Sequence, residues 1–151
     1  MRRDQAELPK IEIRIVRSWD AAEIENLYRV GGWWKEGWDA KGIPPLVRGS
    51  FAFAVAFEQT AGQAVGMGRV ISDGISDAYL QDVVVDPAFR HRGIGCGIVE
   101  VLVSHCLKEG ISWIGCIASS GIENFYRELG FRDMRGFTPL LYGGRGDDRP
   151  V

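Results

Sequence analysis

The chain has 151 residues, of which 46% are hydrophobic and 25% charged, and its net charge is −2 at pH 7. This composition is ordinary for one soluble globular domain, and the lack of net positive charge argues against a nucleic-acid-binding protein. No apolar run in the sequence approaches the roughly 20 residues of a membrane span. The N-terminal segment lacks the apolar core of a signal peptide, so we expect a cytoplasmic protein.

The first third of the chain predicts one strand and two helices. Isoleucines alternate with polar residues over residues 11–15, which is typical of a half-buried strand. Asp20 is a candidate N-cap for the following helix, Glu23 is placed to complete a capping box, and Gly31–Gly32 ends the helix. A second, short helix is expected over residues 44–48, where two prolines stand at its start.

Three tryptophans, Trp33, Trp34 and Trp38, lie within six residues between these two helices. Tryptophan offers a large apolar area and few rotatable bonds, which suits the wall of a binding site. Packing into the core is an equal alternative, although a short segment interrupted by glycines is an unusual core element.

Three strands joined by short turns are predicted next, over residues 51–57, 63–71 and 77–86. Short turns make such strands an antiparallel meander. In the first strand large apolar residues alternate with alanines, and the second strand also has one face of small residues. These small faces leave room for a close neighbour, which is either a helix or a ligand.

The stretch from Tyr79 to Glu100 combines a strand, a basic glycine loop and the start of a helix. A valine-rich strand ends at Asp86–Pro87, the loop carries two arginines, and helical spacing begins near Ile94. The first N–H groups of a helix point outward and its dipole favours an anion, while glycines let the backbone approach a ligand. This pattern indicates a phosphate site, with a plain turn bearing surface arginines as the equal alternative.

The rest of the chain predicts a crossover and a closing segment. The helix runs over residues 93–109, and an apolar fifth strand follows over residues 111–118. A crossover of this length makes the fourth and fifth strands parallel. A short helix closed by Gly130 and one or two closing strands over residues 131–142 complete the predicted order.

The cysteines are Cys96, Cys106 and Cys116, and with the two histidines they form no cluster of metal-ligand spacing. An odd number of cysteines argues against a fully paired disulfide framework. Cys106 and Cys116 lie in apolar patterns typical of buried thiols, whereas Cys96 lies in the glycine loop.

Two segments together resemble the GCN5-related N-acetyltransferase (GNAT) superfamily: V-V-V-D-P-A-F-R-H-R-G-I-G over residues 83–95 and F-Y-R-E-L-G-F over residues 125–131. The resemblance implies an α/β fold with a mixed sheet, in the order β-α-α-β-β-β-α-β-α-β, with splayed parallel strands four and five. It implies a single acetyltransferase domain over residues 1–151, with an ordered core of about residues 11–142 and flexible tails at both ends.

The resemblance also implies acetyl-CoA as the acetyl donor. In the family, the strand equivalent to Val83–Val85 pairs with the pantetheine arm, and one of its N–H groups polarises the thioester carbonyl. The loop equivalent to Arg90–Gly95 holds the pyrophosphate through backbone N–H groups. The implied cofactor-binding residues are Val83, Val84, Val85, Arg90, His91, Arg92, Gly93, Ile94, Gly95, Cys96, Gly97 and Asn124.

Catalytic roles are implied for two residues. Tyr126 matches the tyrosine that serves the family as general acid near the CoA sulfur, with packing beside Phe125 as the alternative. Asp82, just before the valines, is a candidate for the general base or for a contact to the acceptor amine, although some family members use ordered water instead. Asn124 is expected to contact CoA or to face solvent, because the asparagine that many members have seven residues before the tyrosine is Ser119 here.

The resemblance predicts acetyl transfer to a primary amine by direct attack in a ternary complex. The tryptophans Trp33, Trp34 and Trp38 favour a small-molecule acceptor with an apolar or aromatic portion. A protein lysine or N-terminal acetyltransferase is one alternative, and a non-catalytic CoA-binding sensor is another. No metal, nucleic-acid or membrane partner is expected. Because many family members pair as homodimers, we expect a homodimer. Reserve candidates for the base are Glu36, Asp39 and Asp73.

Overall fold

A computed structural model describes residues 8–143 of the chain. The flexible tails expected over residues 1–10 and 143–151 lie almost wholly outside the described residues and stay predictions. The chain divides into two compact units, the first ending at Cys116 and the second beginning at Ile117. The single domain therefore also stays a prediction. In the described part of the chain no helix is long and apolar enough to cross a membrane.

Five strands form one mixed sheet in the order β1-β2-β3-β4-β5, which confirms the predicted α/β class. The first four are antiparallel neighbours, and the fifth is parallel to the fourth. The strands are β1 (Ile11–Ile15), β2 (Ala52–Glu58), β3 (Ala64–Ser72), β4 (Asp77–Val85) and β5 (Trp113–Cys116). The helices are α1 (Ala21–Val30), α2 (Ile43–Gly49), α3 (Ile94–Lys108) and α4 (Glu123–Glu128).

One face of the sheet is covered by α1 and α2. In α1 the buried residues fall three and four positions apart, at Ile24, Leu27 and Tyr28, so they form one apolar stripe along the helix. Burying each large apolar side chain of this kind contributes roughly 1.5–3 kcal/mol. The core on this face contains Ile24, Leu27, Ile43, Val47, Phe53, Val55, Met67 and Val84.

The start of α1 is capped, but only half of the predicted capping box forms. The Asp20 carboxylate accepts a hydrogen bond from the Glu23 N–H at 3.0 Å, as expected for an N-cap. The Glu23 carboxylate does not reach back to Asp20. It accepts instead from Trp19 Nε1 at 2.6 Å and from the Ala64 N–H at 3.1 Å, so it fastens α1 to the first residue of β3.

The other face of the sheet is covered by α3, which decides between the two neighbours expected for the small faces. A Cβ atom on Gly68 would lie 2.8 Å from Ile98 Cγ2, and one on Gly97 would lie 2.6 Å from Ile13 Cδ1. Both distances are too short for a carbon–carbon contact, so glycine at each position lets helix and sheet approach closely. The small residues of β3 therefore make room for a helix.

The closing strands predicted over residues 131–142 are wrong for the structure, because residues 131–143 contain no strand. The segment is broken where the chain turns at Gly136, which has a φ of 81°, and Pro139 has no N–H to offer a sheet. Phe137 and Leu140 are largely exposed and supply no buried face. The fifth strand is also shorter than predicted.

Candidate active site

The fourth strand contains a β-bulge at Asp82. Met67 of β3 pairs with Val84, and Arg69 pairs with Gln81. One residue of β3 therefore faces two residues of β4, Asp82 and Val83, which defines a bulge. Asp82 has a φ of 55°, in the left-handed region that aspartate enters more readily than most residues.

This bulge reverses which side chains of β4 face α3. Before it, Leu80 lies opposite Val70 on the face covered by α3. After it, Val84 lies opposite Met67 and packs into the core with α1 and α2. Val83 now faces α3, since a Cβ atom on Gly68 would meet both Val83 Cγ2 and Ile98. A strand with strict alternation would have placed Val84 on the same face as Leu80.

The Asp82 carboxylate is held by two donors from neighbouring elements. Its Oδ2 atom accepts from Arg69 Nε at 2.5 Å and from the Tyr28 hydroxyl at 2.7 Å. The Arg69 and Asp82 side chains are only 17% and 20% exposed, so this ion pair is partly buried. Arg69 also donates through Nη2 to Gln81 Oε1 at 3.2 Å. The carboxylate thus links α1, β3 and the bulge.

The Tyr28 hydroxyl is neutral in this setting. Burial is the main reason that the pKa of Tyr28 lies well above its usual range, followed by the negative charge of Asp82 and the hydrogen bond to it. The positive charge of Arg69 acts in the opposite direction and is the weaker effect. Tyr28 is therefore a fixed hydrogen-bond donor to Asp82.

One edge of β4 is open after the bulge. The fifth strand pairs with residues Asp77–Leu80 only, while β4 continues to Val85. The Asp86 N–H donates to the Val65 carbonyl at 2.8 Å, so at that point even-numbered residues point their N–H groups toward β3. By alternation, Val83 and Val85 point theirs away from β3. In the described part of the chain no strand pairs with that edge.

The loop after β4 is shaped by its own side chains. The Asp86 carboxylate accepts from the Ala88 N–H at 2.9 Å and shapes a single 3₁₀ turn. Arg90 Nε donates to the Val85 carbonyl at 2.9 Å, and the Arg92 guanidinium lies 5.4 Å from the centre of the Phe89 ring. The predicted cationic loop is thus folded back against the end of the strand.

Two residues with positive φ lead into α3: His91 at 60° and Gly93 at 76°. His91, Arg92 and Gly93 are exposed, and Gly93 has no side chain to cap the helix. The first N–H groups of this 15-residue helix therefore meet no N-cap side chain, which suits an anion. Ile94 is an exception among the predicted contacts, because its side chain is buried and only its backbone is available.

In the second unit, Tyr126 lies on α4 in an aromatic cluster. Its ring centre is 5.0 Å from that of Phe125 and 5.5 Å from that of Phe131. This packing matches the structural alternative, and the role of general acid stays a prediction. Asn124 Oδ1 accepts from Arg127 Nη1 at 2.8 Å, so its carbonyl is engaged within the same unit.

The tryptophan segment divides between packing and exposure. Trp33 is partly buried, and its ring lies 6.2 Å from that of Tyr28 in an edge-on contact. Trp34 packs on the same core, carries the Arg29 guanidinium over its ring at 5.3 Å and lies 5.6 Å from Trp38. Trp38 is 49% exposed. Trp33 therefore packs against Tyr28, which in turn donates to the Asp82 carboxylate. Trp38 is the tryptophan whose indole is exposed to solvent.

Two of the reserve bases have local structural roles. Asp73 accepts from the N–H groups of Ser76 and Ile75, both at 2.8 Å, and these bonds lower the pKa of Asp73. It shapes the turn between β3 and β4. Asp39 accepts from the Lys41 N–H at 2.9 Å and caps a short 3₁₀ helix.

The sequence reasoning missed Tyr28 and Arg69. A signal was present for Arg69, because it is the only charged residue in the apolar strand β3. In the neighbouring strand β4, Asp82 is likewise the only charged residue over the stretch 78–85. Opposite charges on paired strands are a common cross-strand pair. Tyr28 gave no such signal, since its spacing fits an ordinary buried helix face.

Comparisons with known proteins bear on the family and the fold. Residues 49–133 match the family model described as an acetyltransferase (GNAT) domain. GCN5-related N-acetyltransferase 2, chloroplastic, of Arabidopsis thaliana is 38% identical over 86 residues, which are 56% of this chain and 33% of that protein. Serotonin N-acetyltransferase 2, chloroplastic, of Oryza sativa subsp. japonica is 38% identical over 72 residues, or 48% of this chain and 36% of that protein.

The match to these relatives spans about a third of their length. Among solved structures, a GNAT family acetyltransferase from Streptococcus pneumoniae superposes with a TM-score of 0.73 at 22% identity. That superposition covers 90% of this chain and 99% of the other, and at this identity it supports the fold alone.

Proposed function

Because this chain belongs to the GNAT family of acetyl-CoA-dependent N-acetyltransferases, we propose that it transfers the acetyl group of acetyl-CoA to the primary amine of a small molecule with an aromatic portion. The observation that supports the donor part most strongly is the open edge of β4 at Val83–Val85, followed directly by the cationic loop and the start of α3. The transfer is direct, in a ternary complex of enzyme, acetyl-CoA and amine.

In this proposal, residues 83–97 bind the donor. The N–H groups of Val83 and Val85 point away from β3, so a pantetheine arm can pair with them as an added strand. One of these N–H groups then donates to the thioester oxygen as negative charge develops on it. The N–H groups from Gly93 to Cys96 and the Arg92 guanidinium bind the pyrophosphate, whereas the Gly97 N–H already donates to the Gly93 carbonyl at 3.0 Å.

Proton transfer follows from the chemistry of the reaction. The ammonium form of the acceptor must lose a proton before its nitrogen can attack, and the CoA thiolate must gain one as it leaves. Tyr126 is the proposed general acid, on the resemblance of its F-Y motif to that of the family. The base is water or Asp82, and the two donors already bound to Asp82 Oδ2 favour water.

An aromatic acceptor is supported by the tryptophan segment and by one relative. Trp38 presents an exposed indole beside Trp34, and Trp33 leads from that segment to Tyr28. A relative that matches over 72 residues carries the name serotonin N-acetyltransferase. Flat aromatic groups stack on indole rings more favourably than aliphatic chains of similar size do.

The test is an acetyl-CoA assay over a panel of amines: serotonin, glucosamine 6-phosphate, a polyamine and a lysine-containing peptide. Serotonin is expected to give the highest kcat/KM, and Tyr126→Phe is expected to lower kcat by about 10²-fold. A preference for the peptide would replace the small-molecule acceptor with a protein one. Binding of acetyl-CoA without turnover of any amine would support the CoA-binding sensor instead.

Trp38→Ala tests the acceptor contact against a matched control. Trp113 is similarly exposed, at 44% against 49%, and also stands edge-on to an aromatic neighbour. Trp38→Ala is expected to raise KM for the aromatic amine about tenfold while KM for acetyl-CoA stays unchanged, which corresponds to about 1.4 kcal/mol. Equal effects of Trp38→Ala and Trp113→Ala would remove the tryptophan segment from the acceptor site.

A further inference from the structure

We propose that Asp82, Arg69 and Tyr28 are positioning residues that hold the β4 bulge and thereby aim the Val83 and Val85 N–H groups. The inference rests on the proposed function, because those N–H groups matter for turnover only if they bind the donor. Two of these side chains, Arg69 and Tyr28, belong to no sequence motif.

The bulge lies where the pairing of β4 with β5 ends. β5 pairs with β4 as far as Leu80, and the bulge follows within two residues, at Asp82. The open edge therefore begins where the bulge begins. Any slip of the strand by one residue would turn Val84, rather than Val83 and Val85, toward that edge.

The backbone of Asp82 has a disfavoured conformation. Its φ of 55° is disfavoured for residues with a side chain, and among the described residues His91 is the only other non-glycine with positive φ. Such a conformation persists only where neighbouring structure supports it. Asp82 directly precedes the stretch proposed to bind acetyl-CoA and His91 lies within it, which is where a held conformation would serve a purpose.

Side chains from two neighbouring elements support Asp82. Arg69 approaches from β3 and Tyr28 from α1, and both donate to the same oxygen, Oδ2. The ion pair is partly buried, so solvent screens it less than an exposed pair. The neutral Tyr28 hydroxyl adds a donor without adding charge. The two donors therefore fix the carboxylate, and the carboxylate fixes the bulge.

The charged and polar groups around Asp82 are few. Arg69 donates to it from β3 and Tyr28 from α1, the Gln81 amide oxygen accepts from Arg69, and the Trp33 ring packs against Tyr28. A carboxylate held in this way serves orientation better than proton transfer. A positioning role and a base role can be separated by replacing the side chain while keeping the backbone conformation.

Asp82→Gly and Asp82→Ala make that separation. Glycine adopts a φ of 55° without strain, so the bulge can persist without the carboxylate, whereas alanine keeps the strain and loses the support. Asp82→Ala is expected to lower kcat about 10²-fold, and Asp82→Gly to stay within about tenfold of wild type. The pH at half-maximal kcat should be the same in Asp82→Gly and wild type, because no base has been removed.

Arg69→Gln and Tyr28→Phe test the supporting side chains. Arg69→Gln is expected to lower kcat about tenfold or more, and Arg69→Lys to recover part of that loss. The matched control is Arg14→Gln, which breaks an exposed ion pair with Glu12 on β1. Thermal unfolding of each variant shows whether it folds. If Asp82→Ala or Arg69→Gln does not fold, the inference is judged on Asp82→Gly and Tyr28→Phe, which are the mildest changes.

A readout without acetyl-CoA keeps this inference separate from the proposed function. In the free protein, hydrogen exchange should be slow at the Val84 N–H and fast at the Val83 and Val85 N–H groups. Asp82→Ala and Arg69→Gln should reduce that contrast, and Arg14→Gln should not. An unchanged exchange pattern in both Asp82→Ala and Arg69→Gln would overturn the inference. Equal loss of kcat in Asp82→Gly and Asp82→Ala, together with loss of the acidic limb of the pH profile of kcat, would overturn it as well. Failure of wild type to acetylate any amine would overturn the proposed function alone.

Discussion

The Tyr28 hydroxyl donates a hydrogen bond to Asp82 Oδ2 at 2.7 Å and so joins the first helix to the fourth strand across 54 positions of sequence. Tyr28 is buried, and the carboxylate beside it opposes ionisation of its hydroxyl. The pair therefore makes the free energy of unfolding fall as pH rises into the alkaline range.

Tyr28→Phe should make the protein less sensitive to alkaline unfolding. Burial and Asp82 raise the pKa of Tyr28 in the folded state, whereas in the unfolded chain it is about 10. The contribution to stability is complete below pH 10 and is lost as pH rises toward the folded pKa, because the unfolded chain ionises first. Above pH 10 wild type should lose up to about 1.4 kcal/mol per pH unit more than Tyr28→Phe in denaturant unfolding. Identical slopes would contradict this.

Gly68→Ala should destabilise the packing of α3 on the sheet. The added Cβ would lie 2.8 Å from Ile98 Cγ2, so the helix must shift, at a cost of about 1–3 kcal/mol. Gly49→Ala is the matched control, because no heavy atom lies within 4 Å of its Cβ position at the end of α2. That change should be neutral or stabilising by up to about 1 kcal/mol. Urea unfolding distinguishes the two, and equal effects would contradict close packing at Gly68.

Arg92→Ala should weaken acetyl-CoA binding without altering acceptor binding. An exposed guanidinium near a pyrophosphate is worth about 1.4 kcal/mol, or tenfold in Kd, and the loss should shrink as salt rises. The comparison is Arg17→Ala, an exposed arginine between β1 and α1. Calorimetric titration with acetyl-CoA at low and high salt measures both. A wild-type Kd for Arg92→Ala would exclude this side chain from the donor site.

Cys106 should resist alkylation in the native protein. Its side chain is fully buried, and burial raises the pKa of the thiol, which keeps it in the unreactive form. Burial raises the pKa of the Cys116 thiol as well. Mass spectrometry after iodoacetamide treatment at pH 8 should find Cys106 unmodified until denaturant is added. Rapid native modification of Cys106 would contradict the packing of α3.

Much of the fold could be predicted because local signals and the global arrangement agree. The alternation in residues 11–15, the cap at Asp20 and the crossover through α3 each follow from neighbouring residues alone. The antiparallel meander followed from short turns. The closing strands did not, since the apolar residues of the segment 131–142 resemble a strand, whereas the turn at Gly136 and the lack of a pairing strand depend on tertiary context.

The candidate site was only half predictable. The donor segment lies within one continuous stretch, residues 83–97, so the strand, the loop and the helix start are visible in the sequence. The support of Asp82 comes from Arg69 and Tyr28, which are 13 and 54 positions away. Such contacts depend on register, and a bulge changes register at one residue without leaving a pattern in composition.

Mass spectrometry of the products with acetyl-CoA labelled in its acetyl group tests the proposed activity most directly. In the presence of serotonin, we expect the label on the amine nitrogen of the product, one free CoA thiol per acetylated amine and no label on the protein. Release of the thiol with the label appearing only in acetate, or label retained on the protein as an acyl intermediate, would contradict direct acetyl transfer to an amine.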